Sequence, residues 1–275
     1  MFATASKPTI QLFFNVTVEE GVMPTPLEIL LDPISLGLIG LFVILIVLET
    51  LAPGRPLPKV KFWKLKCMLG FVLYFYLATY LPMLWDHYLK PIQLMDMSGL
   101  NTWLSLLIAV LVFEFFIYVW HRSLHRYHGL WLRFHQLHHS AERIDTLGAY
   151  FFSPLDMVGF TLVGSISLSL VAGLDPQTIT YFLFITTFLA LFQHTNIKTP
   201  QWLGYIIQRP ESHSVHHQRG VHAFNYSDLP LFDMLFGTFK NPADFQAHNG
   251  FYPGSSDHIT QMLLFKDVSR PPQDQ

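Results

Sequence analysis

Apolar runs separated by short polar breaks divide the chain. The first spans about residues 33–52, with Pro33 at a first-turn position and Pro53-Gly54 closing it. A second covers about 67–84 without a charge, and a third about 103–120 with Glu114 as its one acid. Each is long enough for a helix to cross a hydrocarbon core of about 30 Å. Two shorter uncharged stretches, about 157–174 and 178–192, flank Asp175-Pro176-Gln177. They predict a hairpin that either crosses or re-enters the membrane and in both cases returns the chain to the side it left.

The intervening segments are polar in distinct ways. Residues 1–32 carry Glu19, Glu20, Glu28 and Asp32 and predict an external arm with a short interfacial helix. Residues 53–66 form a basic loop, and 86–99 a short polar connection. Residues 121–152 hold too many Arg and His to cross a bilayer, and Trp131, Phe134, Tyr150, Phe151 and Phe152 predict a helix lying at the membrane surface. The expected organisation is an arm (1–32), three spans (33–120), a histidine-rich region with a membrane hairpin at 157–192 (121–242), and a tail (243–275). The fold class is therefore an all-α integral membrane protein. It has about four transmembrane helices, or two to three plus a re-entrant hairpin, carrying a cytoplasmic histidine-rich cap for two metals.

Composition supports this picture. The 275 residues are 51% hydrophobic and 13% charged, with a mean hydropathy of +0.34, too apolar for a soluble domain of this size. A formal net charge of −2 gives no basis for nucleic-acid binding. One cysteine, Cys67, excludes a disulfide framework, a cysteine-held zinc and an iron–sulfur cluster. The first 30 residues show no pattern of a removable signal peptide. Fifteen of the seventeen Lys and Arg fall in 53–66, 121–156 and 193–275, and only Lys7 and Lys90 fall on the other side. The positive-inside bias therefore places both histidine windows at the cytoplasmic face.

Those windows carry the chemistry. HRSLH (121–125), HQLHH (135–139) and ESHSVHH (211–217) space histidines three and four apart, which on a helix brings them to one face. Neutral imidazole suits zinc, iron, copper or nickel. Eight imidazoles exceed one tetrahedral site and match two metals with an open position each. His194, at the exit of the hairpin, is a further ligand candidate. Glu114 lies seven residues before His121, so it is either a hydrogen-bond acceptor behind a ligand histidine or a buried acid paired inside the bundle. No HExxH occurs, which argues against a zinc hydrolase, and no Glu-x-x-His of the soluble di-iron bundles occurs either. Gathering of the histidines at one face argues against a metal transporter.

HRSLH, HQLHH and HSVHH in this order resemble the fatty acid hydroxylase/sterol desaturase superfamily. The run from Glu114 to His121 resembles that family's acid–aromatic–Tyr-Trp–His lead-in. Asn225-Tyr226 and Asp233-Met-Leu-Phe-Gly-Thr238 resemble its downstream signatures, so the likeness covers roughly 100–242. It implies an O₂-dependent, non-haem di-iron enzyme hydroxylating a C–H bond of a fatty acyl, sphingolipid or sterol-like substrate, with a desaturase on the same scaffold as the alternative. It assigns His121, His125, His135, His138, His139, His213, His216 and His217 to two iron ions, with zinc an occupant on purification. His194 matches a further histidine of many members, and Glu114, Asn225 and Asp233 are supporting residues behind the ligands. The chain departs from the family at Phe151-Phe152-Ser153-Pro154, where many members have Arg-x-His-Pro, and at Lys198, where some carry another histidine.

His128 and His222 match no box and are read as hydrogen-bonding behind the ligands or contacting phosphate headgroups. His87, His248 and His258 are read as unrelated to the site. No cytochrome b5-like or flavin segment is recognisable, so a separate electron donor is expected, a ferredoxin or a cytochrome with its reductase. It would dock near Arg122, Arg126, Arg133, Arg209 and Arg219, unless these arginines only satisfy the charge bias and contact lipid phosphates. The expected location is a bacterial inner membrane or the endoplasmic reticulum.

Overall fold

A computed structural model describes residues 10–11, 17–18 and 23–271. Most of the expected N-terminal arm, including Lys7, Glu19 and Glu20, lies outside the described residues, as does the end of the tail, 272–275. Two short strands, β1 (Ile10–Gln11) and β2 (Thr17–Val18), pair antiparallel.

The described chain then becomes helical. Helix α1 (Pro26–Leu31) starts in a capping box, Thr25 and Glu28 satisfying each other's backbone N–H groups. Asp32 accepts from the N–H groups of Ile34 and Ser35 and so caps α2 (Pro33–Leu51). Helix α3 (Trp63–Leu89) begins earlier and ends later than the apolar run, taking in Lys64 and Lys66 of the expected loop. Lys66 reaches Asp257, so its charge is satisfied at the helix start. Helix α4 (Thr102–Arg126) is capped by Asn101 and continues past Trp120 through His121 and His125. Among the described residues these are the three helices long and apolar enough to cross a membrane, α3 being extended by a short turn to Ile92.

After α4 the chain forms α5 (His128–Leu130), a π turn at Trp131–His135 and α6 (Gln136–His139). This corrects the expected surface helix. From His135 to Glu142 every residue is buried. Trp63, Cys67, Phe151, Phe251, Met262 and Val268 pack with Leu137 and Ala141 in one core cluster. The tail supplies part of that cover and is pinned by Gln136, which donates to the carbonyl of Lys266 and accepts from the N–H of Val268.

The hairpin is α7 (Pro154–Leu170) and α8 (Pro176–Phe192), capped by Ser153 and Asp175. Each arm has 17 residues, or about 25 Å at 1.5 Å per residue. Near its tip, β4 (Val171–Ala172) pairs in parallel with β3 (Met95–Asp96), in the connection between α3 and α4. The hairpin therefore reaches the ends of α3 and α4 remote from the histidines. Trp103 and Tyr181 stack there with centroids 5.6 Å apart. Helices α9 (Pro210–His216), α10 (Leu231–Leu235) and α11 (Ile259–Leu263) complete the fold at the histidine-bearing end.

Candidate metal centre

The fold draws nine histidines from four parts of the chain into two adjoining sets. His121, His125, His135, His139 and His216 form one, and His138, His194, His213 and His217 the other. Within each, one nitrogen from every ring lies within 4.8 Å of the rest. These are the eight box histidines and His194.

Helical geometry explains the division. Residues four apart are nearly eclipsed, whereas a residue three along points about 100° away from one four along. His121 and His125, His135 and His139, and His213 and His217 are pairs four apart, and each pair stays within one set. His138 and His216 are the second histidines of their boxes, three residues after the first, and each enters the opposite set from its box-mates. Both HxxHH boxes thereby bridge the two sets, although their spacing alone suggested one shared face.

In the set of five, every Nδ1 is engaged from behind. Nδ1–H of His121 donates to the carbonyl of Tyr226 at 2.8 Å, that of His125 to His222 at 2.8 Å and that of His216 to Phe224 at 2.7 Å. The three acceptors are alternate residues of one loop. His135 donates to Asp156 at 2.6 Å, and His139 meets the ring of His222 at 3.0 Å. Carbonyl and carboxylate oxygens only accept here, so His121, His125, His135 and His216 carry their proton on Nδ1 and turn an Nε2 lone pair inward. The Nε2 atoms of His121 and His135 stand 2.9 Å apart. Those of His125, His139 and His216 are buried without a partner among the described residues. Lone pairs facing one another in a buried site repel unless a cation is shared between them, so this donor set fits a bound metal.

The set of four is built more sparsely. His194 donates from Nδ1 to the carbonyl of Ala190 at 2.7 Å, which leaves Nε2 as its lone pair. That atom lies 3.2 Å from Nε2 of His138 and 3.0 Å from Nε2 of His213, and His217 joins at 3.1 Å from His213. Burial, reinforced by the neighbouring imidazoles, holds His135, His138, His139, His213, His216 and His217 well below 6.5, and burial lowers His194 to about 4. Neutral rings are the form that binds metal.

The supporting residues divide. Glu114 is fully buried, but its Oε2 accepts from the N–H groups of Asp228 and Leu229 at 3.0 Å, not from a ligand histidine. Asp233 accepts from the N–H groups of Tyr226 and Ser227, and Asn225 bonds both Ser212 and Lys240. Both therefore hold the carbonyl-bearing loop, where His222, Phe224 and Asn225 have φ of 42°, 72° and 53°. His222 bonds His125 and His139, whereas His128 is exposed. Asp156 was not singled out in the sequence. Its signal was the one Glu114 gave, a single acid within an apolar helix, here in the first turn of α7. Arg209 is wholly buried against Glu211 at 3.1 Å and cannot meet a docking partner.

A cavity of about 210 Å³ opens beside the histidines. His121 and His135 of one set and His138, His194 and His213 of the other line it, facing Phe113, Ile117, Phe160 and Leu191. Phe152, one of the departures from the family pattern, stacks on His138 at 4.2 Å and forms part of the wall. Lys198, the other departure, is exposed and paired with Asp244. A larger cleft of about 780 Å³, between 54–61 and 244–257, contains none of the nine histidines and is lined by Lys59, Lys61, Lys198 and Asp244 among others.

The sequence model of the fatty acid hydroxylase family matches residues 106–238. The chain is 32% identical over 145 residues to the ornithine lipid hydroxylase of Rhizobium tropici, covering 50% of this chain and 42% of that protein. It is 25% identical over 135 residues to sphinganine C4-monooxygenase 1 of Arabidopsis thaliana, covering 48% and 52%. It is 24% identical over 221 residues to cholesterol 25-hydroxylase of Rattus norvegicus, covering 71% and 70%. The chain spans about half or less of the length of the first curated relatives it matches. No solved structure matches it. The matched segment contains all nine histidines, their carbonyl acceptors and Asp156, and it is a domain of the fatty acid hydroxylase family.

Proposed function

We propose that the protein is an O₂-dependent non-haem di-iron lipid hydroxylase that inserts oxygen into a C–H bond of a fatty acyl, sphingolipid or sterol-like substrate. The observation that carries this reading is the apolar cavity walled by histidines of both sets. His121, His125, His135, His139 and His216 would hold one iron, and His138, His194, His213 and His217 the other. Bound iron would supply O₂ activation. The relatives' names specify an ornithine lipid, sphinganine and cholesterol, each a lipid.

The chain's own groups perform the remaining work. Phe113, Ile117, Phe160 and Leu191 exclude water and admit an apolar chain from the membrane helices. The carbonyls of His222, Phe224 and Tyr226, with Asp156, fix ring orientation and tautomer. Overall, R–H, O₂, two electrons and two protons give R–OH and H₂O. The electrons come from a separate ferredoxin or cytochrome with its reductase. Arg122, Arg126 and Arg133 are exposed and remain candidates for its docking surface on the cytoplasmic side, in a bacterial inner membrane or endoplasmic reticulum.

The test is metal stoichiometry after anaerobic purification from iron-supplemented cells, with Mössbauer spectra of a ⁵⁷Fe sample. Two irons per chain as a coupled pair support the reading, and one or none with the fold intact overturns it. Zinc in other preparations would not decide the matter, because imidazole sites bind zinc more tightly than ferrous iron. Desaturation begins with the same hydrogen abstraction, and product mass separates it from hydroxylation.

A further inference from the structure

The cavity wall contains one carboxylate, Asp228. Its placement is unusually constrained. Glu114, from α4, holds its backbone N–H at 3.0 Å, and its carbonyl accepts from Gln208 N–H at 2.8 Å. Gln193, at the end of α8, donates to its Oδ1 at 2.5 Å. Oδ2 has no bond to any described residue. Gln193 lines the same cavity and precedes His194, so this polar pair lies next to the set of four.

A buried carboxylate in an apolar pocket is costly unless a partner arrives. Glu114 makes this one costlier, since two buried acids adjoin. A loop brace alone would not call for the charge. The amide of Gln193 already satisfies Oδ1, and an asparagine could accept that bond equally well. What an asparagine could not offer is a second acceptor oxygen on this cavity-lining side chain.

We propose that Asp228 is a specificity-determining residue that accepts a hydrogen bond from a donor group of the lipid, a hydroxyl or an amine, and so sets which carbon lies beside the histidines. Gln193 positions it by occupying Oδ1 and leaving Oδ2 for the substrate. The preferred substrate is then a long-chain lipid carrying a hydroxyl or amino group close to the oxidised carbon, not a plain hydrocarbon chain. This inference deepens the proposed function and rests on its reading of the cavity as the substrate site.

The test is binding, which needs neither metal nor O₂. The full chain in lipid nanodiscs is photolabelled by a diazirine-bearing C12 alcohol, and labelling of cavity residues is mapped by mass spectrometry. Dodecanol, dodecylamine and dodecane then compete. In the wild type at about pH 8.5, above the value of about 7 to which burial raises this carboxyl, the alcohol and amine should compete at least about tenfold better than the alkane, the range expected for a hydrogen bond to a charged group. Asp228→Asn should abolish the amine's advantage and leave dodecane unchanged, because a donor replaces the acceptor. Asp228→Glu should keep the preference. Equal competition by all three probes in the wild type overturns the proposal without any variant. Equal weakening of all three in Asp228→Asn would mean that the residue only braces the loop. Failure of the di-iron reading would appear in metal content and oxidised product, and would leave these ratios untouched.

Discussion

Nδ1–H of His216 donates to the carbonyl of Phe224 at 2.7 Å, and Phe224 holds that carbonyl in place with a left-handed backbone at φ 72°. The same loop serves His125 and His121 two residues on either side. Left-handed φ at a non-glycine residue costs roughly 1–2 kcal/mol, so the loop tolerates local strain to orient three imidazoles. Phe224→Gly should relieve the strain and retain metal. Phe224→Pro, which cannot reach positive φ, should destabilise by more than about 1 kcal/mol and lower metal content. Calorimetry with elemental analysis decides between them.

Asp156 is the one carboxylate bonded to a histidine of the two sets among the described residues. Asp156→Asn should lower metal affinity by roughly 10- to 100-fold, the usual cost of removing such a partner. Chelator competition measures it, and unchanged retention of both metals would show that His135 needs no anchor.

His138 belongs to the set of four and stacks on Phe152, whereas His248 is exposed. His138→Ala should abolish product formation and reduce bound metal. His248→Ala should do neither. Full activity in His138→Ala would remove the basis for the assignment of the set.

Arg209 and Glu211 are fully buried, and the guanidinium also bonds Thr199, Asn241 and Pro242. Removing one member of such a pair strands the other. Arg209→Met should destabilise by about 3–5 kcal/mol, read as a fall in melting temperature with donor binding in the remaining folded fraction unchanged.

Burial lowers His194 and His222 from 6.5 to about 4. Between those values the unfolded chain binds protons that the folded chain does not, so stability falls as pH drops through the window. Asp228 and Asp233 act the other way. Burial raises both carboxyls above 3.8, so the folded chain keeps protons that the unfolded chain releases, and stability declines as pH rises. The buried histidines outnumber them. Metal-free protein should therefore lose thermal stability between about pH 7 and 4.5, and His222→Gln should flatten the profile.

Hydropathy made the three long helices legible because a span must be apolar along its whole length, and Pro33 marks a helix start because its ring presets a helical φ. It misjudged 135–142. There histidine and arginine content suggested a surface, while Trp63, Phe251 and Val268, far away in the chain, cover the segment.

The histidine boxes and their pairs four apart were legible in the residues alone, since helical period is a local property. Only the tertiary structure decided that the nine histidines divide into five and four, that backbone carbonyls at 222, 224 and 226 orient three of them, and that Asp156 and Asp228 face the site. The bonds among them join residues 8 to 105 positions apart. A backbone carbonyl carries no side-chain identity to read, and a buried acid reveals its partner only once the helices have packed.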